Sequence, residues 1–419
     1  MSNQPRVVIV GGGIIGVSCA YELVRRGAQV MLLERDVIGA GASSGNAGTV
    51  SAGHPPLNRP GRVRRALLQM ADSTSPLYIE PSWNPDLWRW LVDFARHCTR
   101  KSVERSMSTL APLGLKALEV FDELVDQESI DCAYRRDGYF EVCRTEKGLA
   151  GARQEAQLIR RFGLSPQVVD GETLREAEPA LSPDVRGGVF FPEARTLDPH
   201  RFLQGLASAA RRLGASIKEG AAVRRLDTRQ DRVRGVHLAD DQHLEADAVV
   251  LATGPYSLTL AADLGTRLPV QPGKGYHRDL SVGEGSSPAL RITCVLNERS
   301  VFCTPMNGFV RYAGTMEFSG LNDTLRRDRL DQITRSAQEY LPELRTGDVM
   351  SEWCGLRPVA SDGLPIVGPL PGVKGLVVAT GHGMLGLTLG PVTGEIVADW
   401  ILEEATDFRW TPLSPERFS

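Results

Sequence analysis

Residues 7–35 read VVIVGGGIIGVSCAYELVRRGAQVMLLER and decide the fold. The apolar run at the start predicts a buried strand, the glycines predict a tight turn, and the remainder predicts a helix and a second strand. Gly11 permits the turn, Gly13 lets a pyrophosphate approach the backbone, and Gly16 lets the helix lie close to the strand. Glu34 ends the second strand, where an acid can hydrogen-bond the ribose hydroxyls of a dinucleotide. The stretch therefore predicts a Rossmann-type site for FAD or NAD rather than NADP.

The composition is typical of a globular protein with more than one domain. The 419 residues are 42% hydrophobic and 24% charged, with a formal net charge of −3, so a general nucleic-acid binder is not expected. Seven cysteines without a CxxC pair suit a reducing cytoplasm and predict no metal site. Residues 1–6 are too short for a signal peptide. No apolar run reaches the ~20 residues of a membrane span, and we therefore expect a cytoplasmic protein.

The secondary-structure pattern predicts an α/β cofactor domain that is interrupted by a second, β-rich α+β domain. Apolar residues recur at helical spacing within residues 84–130. Strands are expected near 276–282, 300–304 and 309–317, and a helix at 327–340. These elements are assigned to the second domain, where we expect the substrate to bind.

The cofactor domain is expected to be discontinuous, because glycine-rich strand–turn segments recur far apart in the chain. One strand ends in Ala252-Thr253-Gly254, and another leads to Gly381-His382-Gly383. The active site should lie where the two domains meet. The predicted ranges are 1–80, 145–265 and 350–419 for the cofactor domain, and 81–144 and 266–349 for the substrate domain.

With these motifs in this order, the chain resembles the FAD-dependent D-amino-acid oxidase and glycine oxidase family, and within it the bacterial D-amino-acid dehydrogenases. The resemblance runs almost end to end. It implies FAD rather than NAD, and a glycine oxidase-like fold. Besides the fingerprint at the N-terminus, it rests on Ala42-Ser43-Ser44-Gly45-Asn46-Ala47-Gly48, Ala252-Thr253-Gly254-Pro255-Tyr256-Ser257, Trp353-Cys354-Gly355-Leu356-Arg357-Pro358, Asp362-Gly363-Leu364-Pro365-Ile366-Val367-Gly368 and Gly381-His382-Gly383.

The fingerprint and the resemblance together imply a set of cofactor-binding residues in separated loops. The helix that follows the last loop would direct its N-terminus at the flavin and stabilise negative charge on the reduced ring. The expected set is Gly11, Gly13, Ile14, Ile15, Gly16, Glu34, Arg35, Ser43, Ser44, Asn46, Ala47, Gly48, Val223, Thr253, Gly254, Gly355, Arg357, Gly381, Gly383, Met384, Leu385 and Gly386.

Arg311 is the favoured residue for binding the substrate carboxylate. It lies in the β-patterned run 308–315, and an arginine on a buried strand needs an anionic partner. The resemblance implies a carboxylate-binding arginine on this strand, although the family's usual position corresponds to Phe309, which shares a face with Arg311. A structural ion pair is the alternative role.

Three further residues are candidates for the catalytic site. Arg357 would approach the substrate or hold a flavin loop. Tyr276 would close over the substrate or lie in the core. His382 would tune the flavin or cap its turn. For His54, which follows the first flavin loop, a surface position is favoured over contact with the substrate.

The expected reaction is FAD-dependent oxidation of a D-amino acid, with hydride transfer from Cα to flavin N5. The products would be an imino acid, or a 2-oxo acid and ammonia. Cyclic D-imino acids such as D-proline or hydroxyproline also fit. The alternatives are a glycine- or sarcosine-type secondary amine oxidase, an NAD-linked reductase, and a non-catalytic flavoprotein subunit. The pattern leaves open the side chain of the substrate, the electron acceptor and the oligomeric state.

A tryptophan-rich segment allows two interpretations. Trp83, Trp88 and Trp90 precede a basic stretch that reaches Lys101. Such a helix could lie on the inner face of the cell membrane and deliver electrons to a quinone or another member of an electron-transfer chain. The favoured interpretation is a helix of the substrate domain that packs on its sheet.

Overall fold

The structure, a computed structural model, describes residues 4–63, 75–283, 289–404 and 408–418, so parts of the predicted domain ranges lie outside it. Its strands are β1 Arg6–Val10, β2 Gln29–Leu33, β3 Thr49–Val50, β4 Leu77–Ile79, β5 Tyr139–Cys143, β6 Gln167–Asp170, β7 Gly187–Phe191, β8 Arg195–Thr196, β9 Ser216–Lys218, β10 Val223–Arg229, β11 Arg232–Leu238, β12 His243–Glu245, β13 Ala248–Leu251, β14 Val270–Ser281, β15 Thr293–Leu296, β16 Val301–Pro305, β17 Phe309–Phe318, β18 Val349–Ala360, β19 Ile366–Pro369 and β20 Leu376–Thr380. Its helices are α1 Ile14–Arg25, α2 Pro85–His97, α3 Arg100–Gln127, α4 Glu146–Arg160, α5 Gly171–Ala177, α6 Pro199–Arg212, α7 Ser257–Ala262, α8 Arg327–Tyr340 and α9 Gly386–Ile401.

The fingerprint stretch forms the centre of a parallel sheet, as predicted. Within the described residues this sheet has six strands in the order β19-β20-β13-β1-β2-β9. All neighbours are parallel except β19, which is antiparallel to β20. Residues 7–10 of β1 are buried, as expected for an inner strand that is covered on both faces.

Helix α1 packs against β1 and β2 of this sheet and against α9, which itself packs against β19 and β20. The approach is close enough that an added Cβ at Gly394 would lie 2.5 Å from the carbonyl oxygen of Ser18. Similarly, an added Cβ at Gly390 would lie 2.7 Å from the side chain of Ile14. The C-terminal helix therefore covers the start of the fingerprint helix, and the two ends of the chain complete one domain.

The second sheet is mainly antiparallel and forms the wall opposite the cofactor domain. In the described part of the chain it runs β18-β14-β17-β16-β15-β5-β7-β6, with β4 paired to β17. The strands predicted near 276–282, 300–304 and 309–317 correspond to β14, β16 and β17, and the predicted helix is α8. A separate meander, β10-β11-β12, flanks the cofactor domain.

We propose two changes to the predicted domain ranges. Strands β6 and β7 lie within the range 145–265 that was assigned to the cofactor domain, yet β7 pairs with β5 in the second sheet and β6 pairs with β7. Strand β18, assigned likewise through the range 350–419, pairs with β14 along most of its length. We therefore propose that residues 145–191 and 349–360 belong with the substrate domain.

The helical segment predicted at 84–130 consists of α2 and α3. Thr99 separates them, because its side chain accepts a hydrogen bond from the N–H of Ser102 and caps the second helix. Leu87 and Trp90 of α2 are buried against the second sheet, and the Trp90 indole donates to the carbonyl of Val359 at 3.0 Å. The favoured interpretation of this segment, a helix packed on its sheet, is confirmed for this face.

Candidate functional site

A cavity of about 1440 Å³ lies between the carboxyl ends of the parallel strands and one face of the antiparallel sheet. The volume exceeds the ~300–1,000 Å³ of ordinary small-molecule pockets, so it can hold a dinucleotide and a substrate together. The parallel sheet contributes the turn after β1 and the tip of β2. The antiparallel sheet contributes residues of β5, β15, β16, β17 and β18.

The glycines of the fingerprint are required by geometry. Gly11 has φ +110°, and an added Cβ would lie 2.5 Å from the carbonyl oxygen of Ala252. A Cβ at Gly16 would lie 1.9 Å from the carbonyl oxygen of Gly11. Gly13 precedes α1 without a side-chain cap, so the helix N-terminus is presented to the cavity. These features fit a pyrophosphate at this end.

Glu34 lies at the tip of β2, where the ribose position is expected. Its carboxylate accepts hydrogen bonds from the N–H groups of Gly12 at 2.6 Å and Asp36 at 2.9 Å, and it lines the cavity. Arg35 stacks over the ring of Tyr256, with its Cζ 4.1 Å from the ring centroid. The residues that surround the expected adenosine are therefore fixed by local contacts.

Most of the expected cofactor residues line this one cavity. Ser44, Gly48 and Gly381 are outside its lining, and Gly16 acts through helix packing. The residues that line it are Gly11, Gly13, Ile14, Ile15, Glu34, Arg35, Ser43, Asn46, Ala47, Val223, Thr253, Gly254, Gly355, Arg357, Gly383, Met384, Leu385 and Gly386.

The last glycine loop is held against β18. The N–H of Gly383 donates to the carbonyl of Pro358 at 2.7 Å, and α9 begins at Gly386 without a side-chain cap. His382 is buried, its Nε2 lies 3.1 Å from the hydroxyl of Thr393, and its Nδ1 has no hydrogen-bond partner among the described residues. Burial lowers the pKa of His382 to about 3, so the ring is neutral at physiological pH.

Arg357 has an environment suited to an anionic ligand. Its guanidinium lies over Gly275 and donates to the carbonyl of Thr315 at 2.8 Å. In the described ranges no carboxylate lies within ion-pair distance of it, and it lines the cavity. Burial lowers the pKa of Arg357 to about 10, so it stays protonated near neutrality. A half-buried cation without an anionic partner loses part of its hydration without compensation, and a bound carboxylate would supply that compensation.

The contacts of Arg311 correct its predicted role. The guanidinium makes two parallel hydrogen bonds to the Asp279 carboxylate, at 2.8 and 2.9 Å, and donates to the carbonyls of Ser44 and Asn46. It is buried and is not part of the cavity lining. The alternative role, a structural ion pair, describes these contacts. The β pattern located the arginine correctly but carried no information about Asp279 on the neighbouring strand.

Tyr276 likewise takes the alternative role. Its side chain is 0% exposed, and its hydroxyl donates to the carboxylate of Glu317 at 2.9 Å. Burial and the charge of Glu317 raise the pKa of Tyr276 well above its usual range. The ring packs in the core beneath the antiparallel sheet and does not line the cavity. Tyr276 therefore cannot cover a substrate without leaving the core.

His54 lies closer to the candidate site than the favoured surface position implied. It is half-buried and lines the cavity between the flavin loop and Arg59. Burial, and then the charges of Arg59 and Arg62, lower the pKa of His54 to about 3. The ring is therefore neutral at physiological pH and offers one hydrogen-bond donor and one acceptor.

Sequence reasoning missed Glu141, which lines the cavity on β5. Its carboxylate accepts a hydrogen bond from the side chain of Asn297. Burial, and then the nearby charge of Glu155, raise the pKa of Glu141 to about 7. The signal was a single acid within the apolar strand 139–143, where alternation places it on the same face as Tyr139.

Comparisons with known proteins agree with this geometry. A family model described as FAD dependent oxidoreductase matches residues 6–400. The D-amino acid dehydrogenase of Methylobacterium radiotolerans is 35% identical and that of Methylobacterium nodulans 34%, each alignment covering 99% of both chains. The crystal structure of glycine oxidase from Geobacillus kaustophilus superposes with a TM-score of 0.79 at 25% identity, covering 98% of both chains.

These findings confirm the resemblance that the motifs suggested, and also the fold. Among the described helices, none is long and apolar enough to cross a membrane. The glycine contacts, the helix N-termini and the cavity volume fit a flavin dinucleotide. The chain therefore belongs to the FAD-dependent oxidoreductase family, and its cofactor is FAD.

Proposed function

We propose that this chain is a D-amino acid dehydrogenase in which Arg357 binds the carboxylate of the substrate. The curated relatives over the full length of the chain carry that name. The observation that carries the proposal is a half-buried guanidinium in the cavity wall with no carboxylate partner among the described residues. An amino acid supplies that partner, and a planar guanidinium binds it through two parallel hydrogen bonds.

The residues around Arg357 would orient the substrate. The carbonyl of Thr315 holds one edge of the guanidinium and leaves the rest for the ligand. The loop from His382 to Leu385 lies across from it, because Gly383 is bonded to Pro358, the residue after Arg357. A substrate fixed by its carboxylate would therefore present Cα towards the loop that is expected to cover the flavin.

FAD, when bound, accepts the hydride that leaves the substrate Cα. The protein has to bring the amino group there as a neutral amine, whose nitrogen lone pair forms the imine. His54 and His382 both line the cavity and are neutral at physiological pH, so neither adds positive charge near the amine. Water then hydrolyses the imine to a 2-oxo acid, except where the substrate is cyclic.

A substrate panel tests this proposal. Purified holoenzyme is assayed with an artificial electron acceptor against paired D- and L-amino acids, D-proline, D-hydroxyproline, glycine and sarcosine. The expected result is dye reduction with D-isomers and at least a tenfold preference over their L-partners. Preference for glycine or sarcosine would replace the proposal with a secondary amine oxidase. The same panel followed by oxygen consumption separates a dehydrogenase from an oxidase.

We also propose that α2 contacts a membrane surface where electrons leave the enzyme. Trp83, which precedes α2, is 99% exposed, and Trp88 within α2 is 50% exposed. Arg100 and Lys101, at the start of α3, are also exposed. Exposed indoles together with basic residues are typical of segments that bind anionic bilayers.

A further inference from the structure

The meander β10-β11-β12 carries three potential metal ligands on one face. Asp227 lies on β10, His237 on β11 and His243 on β12. One ligand atom from each lies within 4.8 Å of the other two. The carboxylate of Asp227 is 3.0 Å from Nε2 of His243, and the two imidazole centroids are 4.6 Å apart.

The strand register explains why these side chains meet. His237 is directly opposite His243 in the antiparallel pair β11-β12. Asp227 is opposite Gly235, which shares a face with His237 because it is two residues away. Gly235 lets β11 lie close to β12, because an added Cβ there would lie 2.1 Å from the carbonyl oxygen of Leu244.

We propose that Asp227, His237 and His243 form a binding site for a borderline divalent cation such as Zn²⁺. Two imidazole nitrogens and one carboxylate oxygen are a common three-ligand set for zinc, which would complete its tetrahedron with water. The cysteine spacing predicted no metal site, because ligands spread over three strands leave no short motif. Such an ion would cross-link the three strands of the meander, whose residue Val223 lines the cofactor cavity.

One nearby charge opposes the ion. Arg225 is opposite His237 on β10, and its positive charge repels a cation. Arg225 is exposed, so water and salt screen that repulsion.

Zinc titration of the holoenzyme tests the site. Zn²⁺ alone is added to metal-free holoenzyme and its binding is measured by calorimetry. We expect one equivalent per chain, and at least tenfold weaker binding for His237→Gln, His243→Gln and Asp227→Asn. Because these positions are at the surface, FAD content and melting temperature without metal should match the wild type. We also expect Zn²⁺ to raise the melting temperature of the wild type only.

His97→Gln serves as the matched control, since His97 lies on α2 away from the meander. It should bind Zn²⁺ like the wild type. The proposal is overturned if the wild type binds less than half an equivalent. It is also overturned if His237→Gln and His243→Gln keep the wild-type affinity, which would assign the metal to other groups.

A different set of contacts concerns the loop 43–48, which lines the cofactor cavity. Each of its carbonyls accepts a hydrogen bond from another group of the chain. Asn46 donates to the carbonyl of Ser43, and the N–H of Leu197 donates to that of Gly48. The four carbonyls between them, at residues 44–47, accept from side chains of the antiparallel sheet. Arg311 donates to the carbonyls of residues 44 and 46, at 3.2 and 2.9 Å. His277 donates to the carbonyl of residue 45 at 2.7 Å, and Thr304 to that of residue 47 at 2.8 Å.

The donors are themselves held in place. The Asp279 carboxylate accepts a hydrogen bond from Nε of Arg311 at 2.8 Å and another from the Ser351 hydroxyl at 2.8 Å. Burial alone would raise the pKa of Asp279, but the hydrogen bonds and charge of Arg311 outweigh it and the pKa is lowered. The His277 ring stacks on Trp353 at 5.1 Å, and Trp353 fills the space beside Gly45.

We infer that Arg311, His277 and Thr304 position this loop for FAD by turning its carbonyls towards the second domain. In the described chain, the N–H groups of residues 44–47 form no hydrogen bond to another residue. With the carbonyls held on one side, these N–H groups are left for the electronegative atoms of the cofactor. The substrate domain would thereby set the shape of the cofactor loop.

Thr304 offers a clean test, because Thr304→Val keeps the shape and removes one donor. Apo-protein is titrated with FAD, and binding is followed by quenching of flavin fluorescence. We expect Thr304→Val to bind FAD about 5- to 100-fold more weakly, since the carbonyl of Ala47 loses its partner. Thr304→Ser keeps the hydroxyl and should recover most of the affinity.

Thr293→Val is the matched control on the same sheet. Thr293 is fully buried, and its hydroxyl has no hydrogen-bond partner among the described residues. Its removal should leave FAD affinity unchanged. The inference is overturned if Thr304→Val binds FAD like the wild type, or if Thr293→Val weakens binding to the same extent. Substrate turnover plays no part in this readout, so the result is independent of the proposed substrate.

Discussion

Two arginines on strands of the same sheet illustrate how contacts decide a residue's role. Arg311 is paired with Asp279 and donates its other hydrogen bonds to backbone carbonyls. Arg357 lines the cavity and has one backbone acceptor at 2.8 Å. A guanidinium that is already neutralised cannot add much affinity for an anion, whereas an unpaired one gains its missing partner from the ligand.

Replacing Arg357 should therefore impair substrate use without loss of FAD. Losing one partner of a buried charged pair costs about 2–5 kcal/mol. For Arg357→Met we expect kcat/KM to fall about 30-fold to several thousand-fold. The kcat/KM of Arg357→Lys should lie between those of the wild type and Arg357→Met, because a lysine keeps the charge but cannot form two parallel hydrogen bonds to a carboxylate. Steady-state assays with a D-amino acid measure this, and FAD content is the control. A change below threefold would remove Arg357 from the role.

Gly275 tests the position of that guanidinium without removing it. An added Cβ would lie 2.2 Å from Cζ of Arg357. The flexible side chain should move rather than the backbone, so Gly275→Ala should fold and displace the guanidinium. We expect kcat/KM to fall about 10- to 100-fold, mainly through KM. Gly151→Ala, where an added Cβ meets nothing within 4 Å, is the control and should keep wild-type kinetics.

The sequence could predict the role of a residue that acts through its neighbouring backbone. It could not predict the role of a residue that depends on a partner far away in the chain. Gly11, Gly16 and Glu34 act within one βαβ unit, so their spacing is informative. The partner of Arg311 is Asp279, 32 residues away on another strand. Periodicity shows which face each residue occupies, but not which charges meet across strands.

Helix α2 gives a prediction at the level of secondary structure. Trp88 on its outer side and Trp83 just before it are exposed, and we expect these indoles to enter an anionic bilayer. The double variant Trp83→Ser/Trp88→Ser should bind vesicles with anionic lipid at least about fivefold more weakly in co-sedimentation. Met350→Ser removes an exposed apolar residue of β18 and should bind like the wild type. Equal binding of all three proteins would exclude α2 as the contact.

The elements themselves were largely predictable, but their assignment to sheets was not. The helix at 327–340 and the strand at 309–318 follow from strong apolar periodicity. Strands β6 and β7 are short, and they follow helices much as strands of the cofactor domain do. Only the pairing of β7 with β5, and of β6 with β7, assigns them to the other sheet, and the pairing with β5 is a long-range property.

The whole molecule should lose stability on acidification. Burial lowers the pKa of His382 to about 3 and that of His277 to about 4, below the ~6.5 of an unfolded chain. The unfolded chain binds these protons first, so stability is complete above pH ~6.5 and falls as the pH drops towards those values. Within that window, each ring should lower the free energy of unfolding by up to about 1.4 kcal/mol for each pH unit of acidification.

Thermal unfolding between pH 8 and pH 5 measures this effect. We expect the melting temperature to fall below pH ~6.5, and His382→Gln to show a shallower fall than the wild type. His97→Gln, on α2, is the control and should keep the wild-type slope. Glu141 acts in the opposite direction within this window, because its raised pKa favours the folded chain as the pH falls. Equal slopes for His382→Gln and the wild type would therefore be the result that contradicts the buried, neutral state of His382.

The proposed function depends most on one chemical step, the reduction of the FAD of this chain by a D-amino acid bound to Arg357. Anaerobic mixing of the holoenzyme with D-amino acids, followed by the absorbance of oxidised flavin, tests that claim most directly. We predict rapid bleaching with D-isomers, little with L-isomers, and bleaching at least about 30-fold slower in Arg357→Met at low substrate. Full bleaching of Arg357→Met at the wild-type rate, or no bleaching of the wild type by any D-amino acid, would contradict it.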